Sequence, residues 1–422
     1  MSFRDNAAMS DACDVVIIGA GPAGLSLAGV LARQGWSVTV VDPAAREALA
    51  APRDDGREIA LTLLSRQLLE QWGQWSRLGE IEFAPLREAQ VFDGDSESPM
   101  RVAAADGAEA LGWMVSNHAL RRVAYESAAE AAGIVWKLGR KAQDIATDDD
   151  GARVTLDDGE VIAARLVVAA DSRFSASRRR MGIAARQHDF GRNMLVCRMR
   201  LEKPQPGIAW EWLGYGQTLA LLPLRDDLAS VVITLTPAEM DALQALSPEA
   251  FGDAVAARYG QRLGAMRLVS ERHVYPLVGV APERLVATRF ACLGDAAIGM
   301  HPITAHGYNL GLRGIALLSD AMMLARRRGQ DIADAEPLAE YERNLRAIAL
   351  PLYLATLSVV HLYGDDRPGM RLLRRALLRI AEYAPPFQHL MRMALSGRDA
   401  KPPLPLRLLA RAVAALPGRA TH

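Results

Sequence analysis

Near the start of the chain, Val15-Val-Ile-Ile18 forms an unbroken β-branched run, the pattern of a strand buried on both faces. Polarity then switches to a helical spacing of Ala and Leu that runs to about Gln34 and is ended by Gly35. Ser37-Val-Thr-Val-Val41 returns as a second strand and delivers Asp42. A polar loop with Pro43, Pro52 and Arg53-Asp-Asp-Gly-Arg57 follows, then Glu58-Ile-Ala-Leu61 and a predicted helix from about Ser65 to Trp75.

Gly112-Trp-Met-Val115 predicts a short strand, with Asn117 capping a helix that reaches about Ala132. Ile134 to Leu138 predicts another strand, and Asp157-Asp-Gly159 reads as a hairpin turn. Arg165-Leu-Val-Val-Ala-Ala170 predicts a buried strand that ends at Asp171, where a parallel sheet carries its ligands. From Asn193 to Leu235 strands succeed one another without helices: Leu195 to Leu201, Ile208 to Leu213, Thr218 to Leu222 and Ser230 to Leu235. That pattern predicts an inserted antiparallel sheet.

Two helices are predicted between Pro237 and Tyr259, then strands at Arg272 to Pro276 and Arg289 to Leu293. The last strand opens a second glycine-bearing loop and a helix to about Arg327. Ala347 to Tyr363 is nearly uncharged, but Pro351, Thr356, Ser358 and His361 interrupt it, so it predicts a buried helix rather than a membrane span. The fold class is therefore α/β. Residues 12–70, 100–185 and 284–345 are expected to form a discontinuous nucleotide-binding domain, 71–99 and 186–283 a substrate domain, and 346–422 a helical C-terminal region.

The chemistry begins at the first strand–helix junction. Gly19, Gly21 and Gly24 have G-x-G-x-x-G spacing: the first for the tight turn, the second for close approach of a pyrophosphate, the third for helix–strand packing. Pro22 and Ala23 open the helix whose N-terminus faces the phosphates. Asp42 is placed for a ribose hydroxyl, and its charge disfavours a 2′-phosphate. FAD and NAD share such a cradle, and the spacing alone does not choose between them.

Charge and cysteine content narrow the rest. Lys+Arg and Asp+Glu both number 49 in 422 residues, so no net field is available to hold nucleic acid, and none is expected as a partner. Three widely separated cysteines, Cys13, Cys197 and Cys292, fit a reducing compartment and offer neither a disulfide framework nor metal-ligand spacing. The first residues carry Arg4, Asp5 and Asp11 and lack the apolar core of a secretory signal; a cytoplasmic location is expected.

In combination these segments resemble the class A flavin monooxygenases, and most closely the ubiquinone-biosynthesis ring hydroxylases (the UbiH/UbiF/UbiM group). The resemblance spans nearly the whole chain. Its carriers are Gly19 to Gly24, Asp55-Gly-Arg57-Glu-Ile-Ala-Leu61, Ala169-Ala-Asp171, Leu219-Ala-Leu-Leu-Pro223, Leu293-Gly-Asp295 and His301-Pro302 to Asn309-Leu-Gly-Leu-Arg313. It implies a Rossmann-like FAD-binding domain of the para-hydroxybenzoate hydroxylase kind with an inserted substrate sheet. Reduced FAD would capture O₂ as a C4a-hydroperoxide and pass one oxygen to an electron-rich ring, with NADH or NADPH as reductant.

The resemblance sets Asp42 on the adenosine ribose, Asp295 near the ribitol and pyrophosphate, and Arg57 with the loop Pro302, Ala305, Gly307, Tyr308 and Asn309 around the isoalloxazine. Asn117, Arg121 and Asp171 are carried over as further cofactor contacts. Three positions depart from the family pattern. The usual Asp-Gly pair is Asp171-Ser172, the usual Gly-Gln-Gly is Ala305-His306-Gly307, and an Arg early in the middle helix is replaced by His118.

His306 is the candidate for proton handling, set against a histidine that only bonds backbone, and Arg57 is the second catalytic candidate. His301, before Pro302, is expected to be structural. Trp210, Trp212, Tyr215, Leu222 and Tyr275 are candidates for a pocket that takes a small apolar aromatic substrate, with core or edge packing the expected fate of any single aromatic one. Beyond Arg367 the chain is basic and amphipathic, suited either to a membrane surface or to a solvated helix face. Expected partners are other quinone-biosynthesis proteins. The alternatives are a hydroxylase or reductase of another apolar phenol or prenyl metabolite, and a non-catalytic flavoprotein scaffold.

Overall fold

The computed structural model describes residues 12–94, 96–104, 107–214 and 216–364, together with residues 367, 369, 371 and 374. Tyr215 and nearly all of the basic C-terminal stretch lie outside them.

The first part of the chain forms β1 (Cys13–Ile18), α1 (Pro22–Arg33), β2 (Val38–Asp42), α2 (Arg46–Ala50), β3 (Glu58–Thr62) and α3 (Leu63–Gln71). Four short strands follow, β4 (Phe83–Leu86), β5 (Glu88–Asp93), β6 (Met100–Ala103) and β7 (Gly112–Ser116), then α4 (Asn117–Ala129). Next come β8 (Ile134–Leu138), β9 (Ala142–Thr147), β10 (Ala152–Leu156), β11 (Val161–Ala169) and α5 (Ala176–Arg180).

A run of strands follows: β12 (Ala185–Leu201), β13 (Ile208–Leu213), β14 (Thr218–Pro223) and β15 (Leu228–Leu235). Then come α6 (Pro237–Gln244), α7 (Pro248–Arg258), β16 (Met266–Leu268) and β17 (His273–Pro282). The described chain closes with β18 (Val286–Ala287), β19 (Phe290–Cys292), α8 (Gly307–Arg327) and α9 (Ala335–Gly364).

Three sheets result. The main one has the order β18-β19-β11-β1-β2-β8, with β10 and β9 added as a hairpin extension. Its strands β19, β11, β1, β2 and β8 run parallel. They end nearly flush, because Ile18 lies opposite both Ala169 and Val41, and Ala169 opposite Cys292. Val15, Val16 and Ile17 are fully buried between α1, α8 and the hairpin side, which is why this strand needs no polar face. Gly19 has φ +112°, and a Cβ on Gly24 would sit 2.0 Å from the Gly19 carbonyl oxygen. Both glycines are therefore required by the backbone itself.

The second sheet, β16-β12-β15-β14-β13-β5-β6 with β17 against β12, is antiparallel apart from the β13–β5 pair. One face is packed by α6 and α7 through Met240, Phe251, Val255 and Tyr259. The third sheet is small, β3-β7-β4.

The expected domain limits need two corrections. Met100–Ala103 does not belong with the nucleotide-binding part but pairs with β5, giving that strand its second neighbour. Phe83–Leu86 leaves the substrate part and pairs with β7, because this buries Phe83 in an aromatic cluster with Trp75 and Trp113 at 5.0 and 5.6 Å. β12 also starts eight residues earlier than Asn193 suggested, pairing with β17 across a register break between Asp189 and Asn193.

Caps differ from expectation as well. Ser116, not Asn117, caps α4 by accepting from the Ala119 amide at 3.1 Å, and Thr62 caps α3 the same way from Ser65. The stretch expected to be a buried helix is the distal part of α9, and it is not buried. Only 17% of its most apolar 18-residue window is covered, at mean hydropathy 1.6. By length and composition it is the one described helix that passes for a membrane span, which a soluble helix also does.

Two of the departures noted above prove to be backbone features. Ser172 (φ +75°) and Ala305 (φ +53°) both occupy the left-handed region, which costs a side-chain-bearing residue about 1–2 kcal/mol. Both are exposed. Ser172→Gly and Ala305→Gly are each expected to stabilise the protein by about 0.5–1 kcal/mol, less than the strain because glycine is freer when unfolded. Urea unfolding midpoints at matched cofactor occupancy measure this; an unchanged or lowered midpoint contradicts it.

Candidate active site

The flush strand ends collect four turns at one edge of the main sheet: Gly19–Gly21 after β1, Asp42 at the end of β2, Ala170-Asp171 after β11 and Gly294-Asp295 after β19. α1 begins there at Pro22 with Gly21 as its cap residue and no side chain satisfying its first amides. α8 begins at Gly307, again with no side-chain cap. The two starts adjoin, since a Cβ on Gly294 would meet Ala23 at 3.2 Å and one on Gly307 would lie 3.9 Å from Asp295 Oδ1. Unsatisfied N–H groups from two long helices thus converge on one edge.

Asp42 accepts from the Ala20 amide at 2.6 Å and the Ala44 amide at 2.7 Å, one per oxygen, which ties the glycine turn to β2. Each oxygen retains a lone pair for a ribose hydroxyl. A Cβ on Gly21 would meet no protein atom within 4 Å, so the space over this turn is open. An open turn beneath a helix N-terminus, with an acid on the adjacent strand end, fits an adenine dinucleotide such as FAD.

Asp295 pairs with Arg173 Nη2 at 3.0 Å, and Arg173 Nη1 donates to the Val278 carbonyl at 3.0 Å. Arg178, fully buried, donates to the carbonyls of Arg173 and Ala296 and so fixes both turns. These two arginines were not singled out from the sequence. Their signal was only their place just beyond Asp171, on a turn whose residues all look solvent-directed.

Arg57 is held in a fork by Asp55, at 2.6 and 3.1 Å, and its guanidinium lies 5.5 Å from the Tyr275 ring centre. Tyr275 donates its hydroxyl to the Asp55 carbonyl at 2.7 Å. Burial works against the Asp55 charge, but Arg57 and the Asn117 amide, donating at 2.7 Å, hold its carboxyl below the usual range. Burial likewise opposes the Arg57 charge and is outweighed by Asp55, with a further contribution from Asp295. Arg57 and Asp295 thus face a common region.

Several expected contacts are placed otherwise. Asn117 and Arg121, the latter donating to the Arg53 carbonyl at 3.5 Å, support the 52–57 loop. His118 fastens the same loop through Pro52 at 2.6 Å. Asp171 is turned into the following helix, where the Ser175 hydroxyl and Ser177 amide donate to it. The Tyr308 phenol points into the core toward Ser26 of α1, and burial raises its pKa. Trp210 and Trp212 lie on the far face of the second sheet with Phe92 and Tyr259, and Trp212 Nε1 donates to Gly94 at 2.7 Å. Strand alternation explains this: both tryptophans share the face that α7 covers.

The 301–309 loop is well determined by its own bonds. Pro302 opens a single exposed turn, and the buried His301 caps it by accepting from the Ile303 amide at 3.2 Å. Burial, helped by the Arg173 charge, lowers the His301 pKa to about 4, so its ring is neutral. Asn309 donates to the Ala60 and Ala305 carbonyls, both at 2.8 Å, and accepts from the Thr62 amide at 3.0 Å. This stitches α8 to β3. His306, Asn309 and Ala305 line a small cavity of about 30 Å³ together with Thr62, Leu86 and Leu111.

Residues 12–352 match the family described as FAD binding domain. The ubiquinone hydroxylase UbiM of Neisseria meningitidis serogroup C is 40% identical over 92% of this chain and 86% of its own length. The ubiquinone hydroxylase UbiL of Rhodospirillum rubrum is 34% identical over 94% of this chain and 92% of its own length. Among solved structures, the p-nitrophenol 4-monooxygenase PnpA of Pseudomonas putida aligns with a TM-score of 0.73 at 17% identity, covering 92% of this chain and 99% of that one, which shows a shared fold. The glycine edge, the second sheet and these likenesses agree, and the chain belongs to the class A FAD-dependent monooxygenases, among the ubiquinone-biosynthesis hydroxylases.

Proposed function

We propose that this FAD-dependent hydroxylase acts on the aromatic ring of a prenylphenol precursor of ubiquinone, with NADH or NADPH as electron donor. The observation that carries the reading is the opposition of two surfaces. The Arg57 loop stands on one side and the largely apolar inner face of β12–β15, including Leu222, on the other, with Tyr275 joining them. FAD, when bound, would supply the reductive activation of O₂, one atom of which enters the ring while the other leaves as water.

The chain's own residues do the rest. The amides of Gly21 and Ala23 receive the pyrophosphate, Asp42 holds the adenosine ribose, and Arg57 orients the ring system from a position preset by Asp55. The apolar sheet face excludes water from the reacting carbon. His306, at the start of α8 and on the cavity wall, moves a proton at an imidazole nitrogen as the phenol changes protonation. The open side of α9, where Leu350 is 47% exposed, rests on the membrane surface from which a prenylated substrate is drawn.

The decisive experiment follows bound FAD anaerobically with NADH or NADPH, with and without 2-geranylphenol, and then admits air. Reduction followed by hydroxylated product supports the proposal. A flavin that no nucleotide reduces moves electron supply to a separate reductase, and reduction without product leaves the reductase or scaffold alternatives. Gly21→Val should fold, since its side chain enters open space, yet purify without yellow colour; full FAD occupancy contradicts the cradle. His306→Ala should retain FAD and lose at least tenfold in turnover with a flattened pH–rate profile. An unchanged profile removes its proton role. Leu350→Glu should weaken pelleting with anionic vesicles severalfold at unchanged FAD content; equal pelleting contradicts the membrane contact.

A further inference from the structure

Glu211 lies in the middle of the second sheet, between Trp210 and Trp212. Alternation sends the tryptophans to the face covered by α7 and Glu211 to the opposite, inner face. Its row across the sheet is otherwise apolar: Val91, Glu211, Ala220, Val232 and Val196, ending at His273. Among the described residues its carboxyl makes no hydrogen bond or ion pair. It lies deep in the protein, and burial alone raises its pKa to about 8, yet the residue keeps partial solvent access. Depth with residual access means that it borders a void. Val91 and Ala209, beside it on the same face, pack with Leu86 and Leu111, which are the outer wall of the cavity at His306.

We propose that Glu211 is the substrate anchor, its carboxylate accepting the hydrogen bond of the phenolic hydroxyl, an inference that rests on the aromatic-hydroxylase reading above. An unpartnered carboxyl in an apolar row is costly to bury, and a donor arriving with the substrate removes that cost. The pairing also serves the chemistry. As the O–H proton shifts toward the carboxylate, the O–H electron pair stays on oxygen and enriches the ring; no carbon bond breaks and no oxidant is consumed.

The charged neighbours do not compete. Asp93, two residues along β5 on the same face, pairs with Arg374 at 3.6 Å. Arg198, on the inner face of β12, is taken by Glu58 and Asp54 at 2.7 and 2.8 Å. Arg57 is held by Asp55, and Tyr259, behind the sheet, donates to the Ala220 carbonyl at 2.8 Å. His306 lines the cavity and His273 stands at the end of the row.

The test compares 2-geranylphenol with its methyl ether, which keeps the shape but cannot donate. Binding to the FAD-loaded protein is read by the change in flavin absorbance. The native protein is expected to prefer the phenol by at least tenfold, more strongly as pH rises through about 8 and the carboxyl ionises. Glu211→Leu should lose that preference while keeping its affinity for the ether and its FAD. Glu211→Gln, which still accepts a hydrogen bond, should keep part of the preference but none of its pH dependence. A phenol preference that survives in Glu211→Leu, or that shows the same pH dependence in Glu211→Gln, overturns the assignment. Native protein that binds with this preference but forms no hydroxylated product would instead refute the hydroxylation reading and leave the anchor standing.

Discussion

Everything at this centre depends on parallel strands ending at one level. Because Ile18, Val41, Ala169 and Cys292 are register neighbours, the residues that follow them are brought to one edge although they are separated by more than half the sequence. A slip of one residue in β11 would turn its side chains to the other face and move Asp171 and Arg173 with it. The fully buried apolar strands prevent such a slip. α1 and α8 are then fixed with their N-termini at the same edge, and the electrostatic character of the site comes from backbone groups that need no further ordering.

The second sheet divides its labour between faces. The outer face carries Trp210, Trp212, Phe92 and Leu219, covered by Tyr259 at the end of α7, and burial of each such side chain contributes about 1.5–3 kcal/mol. Exposed ion pairs on the same unit, such as Arg200–Asp227, are screened by solvent and contribute little, so hydrophobic packing decides its stability. The inner face is free to be shaped by ligand requirements. Its link to the 54–58 loop is the Arg198–Glu58 pair, where burial pushes Glu58 up to about 7 even against the Arg198 charge. A carboxylate buried to this degree is retained for placement of the loop more than for stability.

Much of this was legible in the sequence, and the limits have physical causes. The glycine spacing, the strand before it and Asp42 are local signals, and they located the cofactor edge. Long-range pairing is not local: nothing in Phe83–Leu86 announces that β7 will take it, or in Met100–Ala103 that it joins β5. Residue type alone does not choose between pocket and core for the tryptophans, whereas strand alternation puts Trp210 and Trp212 together on the packed face and Glu211 on the other. The resemblance implies cofactor contacts for Asn117, Arg121 and Asp171, and the hydrogen bonds they make within the scaffold are not legible from residue type. Ser172 and Ala305 were visible as substitutions, but their strain appears only in backbone angles.

The path of the chain between the sheets has a consequence of its own. It enters the second sheet between β4 and β5, leaves between β6 and β7, returns between β11 and β12, and leaves again between β17 and β18. The parallel β5–β13 pair joins strands from the two separate visits. No single cut separates a cofactor-binding piece from a substrate-binding piece, and a fragment ending near residue 185 would expose β5 as a bare edge. On the ribosome, β5 and β6 therefore wait for β13 before their sheet is complete, which makes this stretch the place where a nascent chain most needs protection from aggregation.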